Sequence, residues 1–207
     1  MRMSEADLPV ARYGDFADTV STYLDEVKKL ADTKRETQLA QAKLIETDAF
    51  KLSDDPTKTN GPPTRLKPVP FFNMAPLENA NVRLKASAKA YDAALAARGP
   101  SLPAAVKGQL VALAGKTEQA LLVEPGLPGG RGWYMNMVYA PGRFTGYGAK
   151  TLPGVREAIE DERWADVDTY AAMAGKALNA YADKLDEGVK LMGGPAPAPA
   201  STAGAAK

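Results

Sequence analysis

Apolar side chains first recur with helical spacing at Phe16, Val20, Tyr23, Val27 and Leu30, with Leu24 and Ala31 widening the stripe. The pattern predicts a helix opening near Gly14 or Asp15, where Asp15 and Asp18 sit at the positive end of the helix dipole. Periodicity loosens from Lys34 to Gln41 and resumes at Leu44, Ile45 and Phe50. No Gly or Pro interrupts the run before Pro56, so one continuous helix of about ten turns is expected.

From Ser53 to Pro76 the pattern dissolves. Asp54-Asp55-Pro56, Asn60-Gly61-Pro62-Pro63, Pro68 and Pro70 deny the backbone regular hydrogen bonding. Val69, Phe71, Phe72 and Met74 give this crossover apolar anchors. A second helix is expected from Leu77 to Ala97, with Leu84, Ala88, Tyr91 and Leu95 on one face and Gly99-Pro100 at its end. A third should start at Pro103, capped by Ser101, with Leu110, Leu113, Thr117, Leu121 and Leu122 on its apolar side. Gly108 and Gly115 lie inside it, either weakening it or allowing close helix contact.

Residues 124–153 are the least helical. Seven glycines and four prolines there enclose Trp133, Tyr134, Tyr139, Phe144 and Tyr147, and Met135 to Tyr139 reads as a short extended segment. A last helical region starts at Pro153-Gly154-Val155 and breaks near Asp161-Glu162. It then carries the longest apolar stripe: Trp164, Val167, Ala171, Ala174, Leu178, Tyr181, Leu185 and Val189. Gly193-Gly194 ends it. These elements predict an all-α domain, a four-helix bundle with a long crossover and a Gly/aromatic-rich loop. Its expected limits are a lead-in over residues 1–14, the helical domain over 15–192, and an Ala/Pro-rich, disordered tail over 193–207.

Composition narrows the chemistry sharply. The 207 residues include no cysteine and no histidine, which removes thiol catalysis, Ser-His-Asp arrangements and the usual zinc ligands. A formal charge of +1 supplies no attraction to nucleic acid or to anionic lipid, and no stretch approaches the ~20 apolar residues that span a bilayer. The opening residues form no export signal. The paired carboxylates Asp54-Asp55 and Asp161-Glu162 read as solvated helix ends, and Asp25-Glu26 and Asp183-Asp186-Glu187 as exposed faces. Gly126-Leu127-Pro128-Gly129-Gly130-Arg131-Gly132 lacks the strand–helix context and Gly-Lys-Ser/Thr ending of a phosphate loop, and reads as a turn. Tyr147, between Gly146 and Gly148, is the most accessible ligand-contacting candidate, with Arg143 and Lys150 as nearby positive charges. The Trp164–Val189 stripe serves core or dimer packing, through Trp164, Val167, Leu178, Tyr181 and Leu185.

Two stretches resemble a known family. One runs Leu121-Leu122-Val123-Glu124-Pro125-Gly126-Leu127-Pro128, Trp133-Tyr134, Tyr139-Ala140-Pro141-Gly142, Thr145-Gly146-Tyr147-Gly148 and Lys150-Thr151-Leu152-Pro153-Gly154-Val155-Arg156-Glu157-Ala158-Ile159. The other is Ala75-Pro76-Leu77-Glu78-Asn79-Ala80, with the opening Leu8-Pro9 ahead of the first helix. Together they resemble the C-terminal helical domain shared by transferrin receptors and glutamate carboxypeptidase II, in its bacterial form, over nearly all of residues 7–191.

The resemblance implies a four-helix bundle that pairs with a second copy and has no catalysis of its own. It implies a parent zinc peptidase in which a preceding domain carries two zinc ions, while this chain holds no metal or cofactor. The implied partners are therefore a second copy and the parent's peptidase domain, with no nucleic acid and no membrane insertion. The loop corresponding to Tyr139–Pro153 closes over the parent's substrate pocket, which assigns substrate contact to Tyr147, Gly146, Arg143 and Tyr139. The family's Lys-Tyr pair reads Gly146-Tyr147 here, so a preference for C-terminal glutamate is not carried over. Such parents are periplasmic, secreted or membrane-anchored. The alternative reading is a stand-alone helical-bundle adaptor.

Overall fold

The structure, a computed structural model, describes residues 8, 11–53, 57, 61–144 and 148–194. Helix α1 runs Tyr13–Glu46. It begins two residues before Asp15 because a distant side chain caps it: the Asp92 carboxylate accepts the amides of Tyr13 at 3.1 Å and Gly14 at 2.8 Å. The buried line is Tyr13, Ala17, Val20, Leu24, Val27 and Ala31, with Phe16, Tyr23 and Leu30 only flanking it. The buried stripe is thus rotated from the one the large side chains suggested. Small residues occupy its centre, whereas Phe16 lies at the edge, stacked on Tyr181 at 4.8 Å. The helix also stops short of Pro56. Asp48 takes a positive φ of 55°, and a 3-10 helix, Ala49–Ser53, follows. Asp54-Asp55-Pro56 lies outside the described residues.

Helices α2 (Ala75–Arg98), α3 (Ala104–Gln119) and α5 (Trp164–Leu191) complete the core. Polar pairs set their directions. Asp92 against Tyr13, Asn81 against Ser21 (3.0 Å) and Glu78 against Lys28 (2.7 Å) run α2 antiparallel to α1. Arg83 reaches Asp183 and Asp186 at 2.5 and 3.1 Å, and Arg98 donates to the Met192 carbonyl, so α2 and α5 are parallel. Two glycines bring these helices close: a Cβ on Gly175 would stand 2.7 Å from the Pro76 carbonyl oxygen, and one on Gly188 would overlap the Tyr91 ring. Gly108 and Gly115 on α3 face open space instead, so close helix contact is not their purpose.

Helix α3 ends before Leu121 and Leu122, which sequence periodicity placed on its apolar side. Leu121 is buried beyond the helix end, while Leu122 is exposed. Ser101 does not cap α3; its hydroxyl donates to the Arg98 carbonyl. The last helical region breaks where expected, into α4 (Pro153–Glu160) and α5, with Glu162 at a positive φ of 58°.

The domain is mostly helical but not wholly. Strand β1 (Tyr139–Pro141) pairs antiparallel with β2 (Ala149–Thr151), Ala140 opposite Lys150. The segment before β1 is less extended than expected: Asn136 bridges Leu122, but the chain bends at Met137 and Val138, and Val123 N–H to Met135 O (2.9 Å) and Met137 N–H to Leu121 O (3.1 Å) hold it. Strand β2 was not foreseen. Lys150 and Thr151 have little local signature beside the glycines around them.

Candidate interaction surfaces

The stripe on α5 is consumed inside the chain. Val167, Ala171, Leu178 and Leu185 are completely buried, and Ala174, Tyr181 and Val189 nearly so. Only Trp164 is partly open, its ring parallel to Phe72 at 6.3 Å. Tyr13, Tyr91 and Tyr181 pack edge-on around the α1 N-terminus, at 4.8 Å between the first two rings and 6.1 Å between Tyr13 and Tyr181. Burial pushes all three hydroxyls above the usual phenol range.

The glycine-rich loop is organised around one buried carboxylate. Glu157 on α4 is only 2% exposed; it is ion-paired with Arg131 and accepts the Arg143 amide at 2.9 Å. Arg131 also donates to the carbonyls of Pro141 at 3.1 Å and Pro128 at 3.4 Å. One acid–base pair therefore ties the 126–131 turn, the end of β1 and α4 together. Gly126, Gly129 and Gly130 carry φ near 75–80° in that turn, a left-handed conformation that glycine adopts without strain. The same region stacks α4 on α5, since a Cβ on Gly154 would overlap the Tyr170 ring. Sequence reasoning missed Glu157 and Arg131 as organisers. The only signal was an acid inside the otherwise buried run Gly154, Val155, Ala158 and Ile159.

Outside this clamp the loop presents an apolar groove of about 320 Å³, lined chiefly by Leu122, Trp133, Tyr134, Met135, Tyr139 and Pro141. Trp133 and Phe144 are largely exposed, at 71% and 81%. Tyr139 borders the groove, half-exposed, with its hydroxyl 3.4 Å from Glu118. The Glu118 charge, then burial, raises its pKa above the ordinary value. Arg143 lies over the Phe144 ring at 5.0 Å and reaches Asp161 at 3.4 Å. Lys150 is ion-paired with Glu160. Gly146 and Tyr147 lie outside the described residues, so of the four substrate-contact candidates only Tyr139 and Arg143 are placed.

The acidic faces are more engaged than their sequence suggests. Glu26 accepts from Arg156 at 2.6 Å, Asp183 and Asp186 hold Arg83, and Asp161 and Glu162 pair with Arg143, Arg163 and Lys34. Among the described residues, no three Asp, Glu, His or Cys side chains gather as a metal site, and no described helix is long and apolar enough to cross a membrane.

A second apolar surface lies at the far end of α1. Burial stops at Ala31, although the helix continues to Glu46. The crossover returns along this projection: Gln41 donates to Thr64 O at 3.1 Å and accepts from Leu66 N–H at 2.8 Å, and Arg65 pairs with Glu46 at 2.5 Å. Phe72 then roots it against Trp164, with Arg35 5.8 Å from the Phe72 centroid. Leu39, Leu44, Leu52, Leu66 and Phe71 are exposed along it.

No curated protein matches the chain. Residues 72–186, which run from the root of the crossover through most of α5, match the transferrin receptor-like dimerisation domain. As that match covers more than half of its length, this chain belongs to the transferrin receptor-like dimerisation domain family.

Proposed function

We propose that this chain is the non-catalytic homodimerisation domain of a glutamate carboxypeptidase II-like zinc peptidase. The family match carries the reading, since a dimerisation domain implies self-association without catalysis. The helix pairings support a four-helix bundle of α1, α2, α3 and α5, with α4 buttressing α5. Because the α5 stripe is spent on the chain's own core, self-association falls to the exposed apolar surfaces. In this reading any zinc chemistry belongs to the parent's other domain, since this chain has no histidine or cysteine to ligate it. Mixing donor- and acceptor-labelled preparations tests the reading. Energy transfer that grows at the rate of subunit exchange supports it, whereas its absence at tens of micromolar chain would sink it.

A subsidiary part of the proposal concerns the loop. Its open aromatic groove and the Arg131–Glu157 clamp support a role in the parent's substrate pocket, with Tyr139, Arg143, Gly146 and Tyr147 as contacts. In the complete parent, Tyr147→Phe should raise KM or lower kcat for peptide substrates. Unchanged kinetics across several peptides would remove this role.

A further inference from the structure

We infer that the aromatic groove of the loop is a docking site for a proline-rich peptide segment of a separate partner, bound in the extended polyproline II form. The inference goes beyond the proposed function, since it depends neither on self-association nor on a parent's substrate pocket.

Shape and charge come first. The groove is a single concave surface of about 320 Å³ with Leu122, Trp133, Tyr134, Met135, Tyr139 and Pro141 around it. A volume of that order lies at the lower end of ligand sites and suits a short segment rather than a folded domain. None of the lining residues is charged, so an uncharged ligand matches the groove and a charged one loses its water without a partner. Aromatic rings make the open ridges: Trp133 is 71% exposed and Tyr139 46%, and the Trp133 ring is tilted 48° from Tyr134 with 5.7 Å between centroids. Aromatic ridges of this kind are the surface on which the rings of a polyproline II helix pack.

Hydrogen bonding then selects the peptide. Backbone acceptors around the groove are already used: Tyr134 O accepts the Leu127 N–H and Met135 O the Val123 N–H, both at 2.9 Å, while Gly148 O accepts the Gly142 N–H and Pro141 O accepts Arg131, both at 3.1 Å. Asn136 Oδ1 is spent on the amides of Val138 and Tyr139. The Trp133 indole N–H and the Tyr134 hydroxyl, by contrast, have no hydrogen-bond partner among the described residues. An ordinary extended peptide would bury N–H groups here with few acceptors to meet them, and each unmet donor weakens binding. Proline carries no N–H and presents only its carbonyl, which an indole or a phenol can meet.

Both sides of the contact are ordered in advance. The β1–β2 pairing and the Arg131–Glu157 clamp hold the groove walls. A polyproline II segment is extended before it binds, so a small groove gives up little ordering entropy in holding it.

The chain has two tryptophans, so a nitrogen–proton correlation spectrum of the labelled full chain shows two indole signals, with Trp164 as the internal control for Trp133. The probes are the blocked peptide Pro-Leu-Pro-Pro-Leu-Pro and its counterpart Ala-Leu-Ala-Ala-Leu-Ala. The proline peptide should move the Trp133 signal saturably, leave Trp164 in place, and bind at least ~10-fold more tightly than the alanine peptide. By fluorescence polarisation of labelled peptide, Trp133→Ser should weaken binding at least ~10-fold, and Trp133→Phe, which keeps a ring without the N–H, by a few-fold. Position 133 is exposed, and circular dichroism checks that both variants keep their helix content. A Trp133 signal unmoved at millimolar peptide, equal movement of both indoles, or equal affinity for the two peptides overturns the inference. So does a Trp133 signal that moves when the chain alone is diluted, which gives the groove to a second copy. A Trp133 signal already shifted in Pro195→Ala/Pro197→Ala/Pro199→Ala, before peptide is added, gives the groove to the chain's own tail and overturns the separate partner.

Discussion

The Arg131–Glu157 pair permits a sharp test of how the loop is held. Glu157→Ala removes the carboxylate from a site only 2% exposed and strands Arg131, whose side chain is 11% exposed. An uncompensated buried charge costs about 3–5 kcal/mol, and the freed Arg143 amide adds about 1 kcal/mol where no water replaces the acceptor. Arg131→Met strands Glu157 at a similar cost. Arg131→Met/Glu157→Leu removes both charges and should be much less destabilised than the sum, because a buried ion pair and an apolar pair of similar size are often close in energy. The assay is a double-mutant cycle by urea unfolding, with amide exchange read at Val123, Met137 and Leu152, whose N–H groups hold the loop segments together. Single variants should lose protection at those amides first, while the α2 and α5 amides remain protected. Single variants within 1 kcal/mol of wild type, or additive effects in the double variant, would refute the clamp.

Other expectations follow from the same packing. Asp92→Ala deprives α1 of its cap and should cost about 0.5–2 kcal/mol by chemical denaturation, with fraying of the first turn seen by amide exchange; full protection at Tyr13 and Gly14 would contradict the cap. The three buried tyrosines have folded pKa values raised above the unfolded value of about 10. Above that pH the unfolded chain binds fewer protons than the folded one, so stability falls as pH rises. Tm should therefore drop above about pH 10, and the drop should be smaller in Tyr91→Phe when both proteins are compared with their own neutral-pH Tm. An identical alkaline decline in the two proteins would remove the ionisation argument at Tyr91.

The parts of this fold legible in the sequence are those carried by local periodicity. The α5 stripe predicted its buried residues closely because every position lies on one helix, and the α4–α5 break followed from Asp161-Glu162. The α1 stripe was read one strip off centre because Phe16, Tyr23 and Leu30 drew the pattern, whereas the buried line includes Tyr13 and Ala17. Two features had no local signature at all. The cap on α1 comes from Asp92, 78 positions from Gly14, and the loop is fastened by an acid on a helix that follows it. Leu121 and Leu122 show the complementary failure: helical spacing continued past Gln119, but the chain turned into the extended loop and placed one inside and the other out. In the candidate site, Tyr139 was singled out by the family motif and Arg143 as a charge in the same loop. The groove's exposed Trp133 and Leu122 required the fold.

The central claim is that this domain exists to pair with itself. Static light scattering of the purified 207-residue chain, from high nanomolar to tens of micromolar, tests it most directly. The account predicts a mass near twice 21.9 kDa that gives way to monomer only on strong dilution. A mass of 21.9 kDa at every concentration would contradict it.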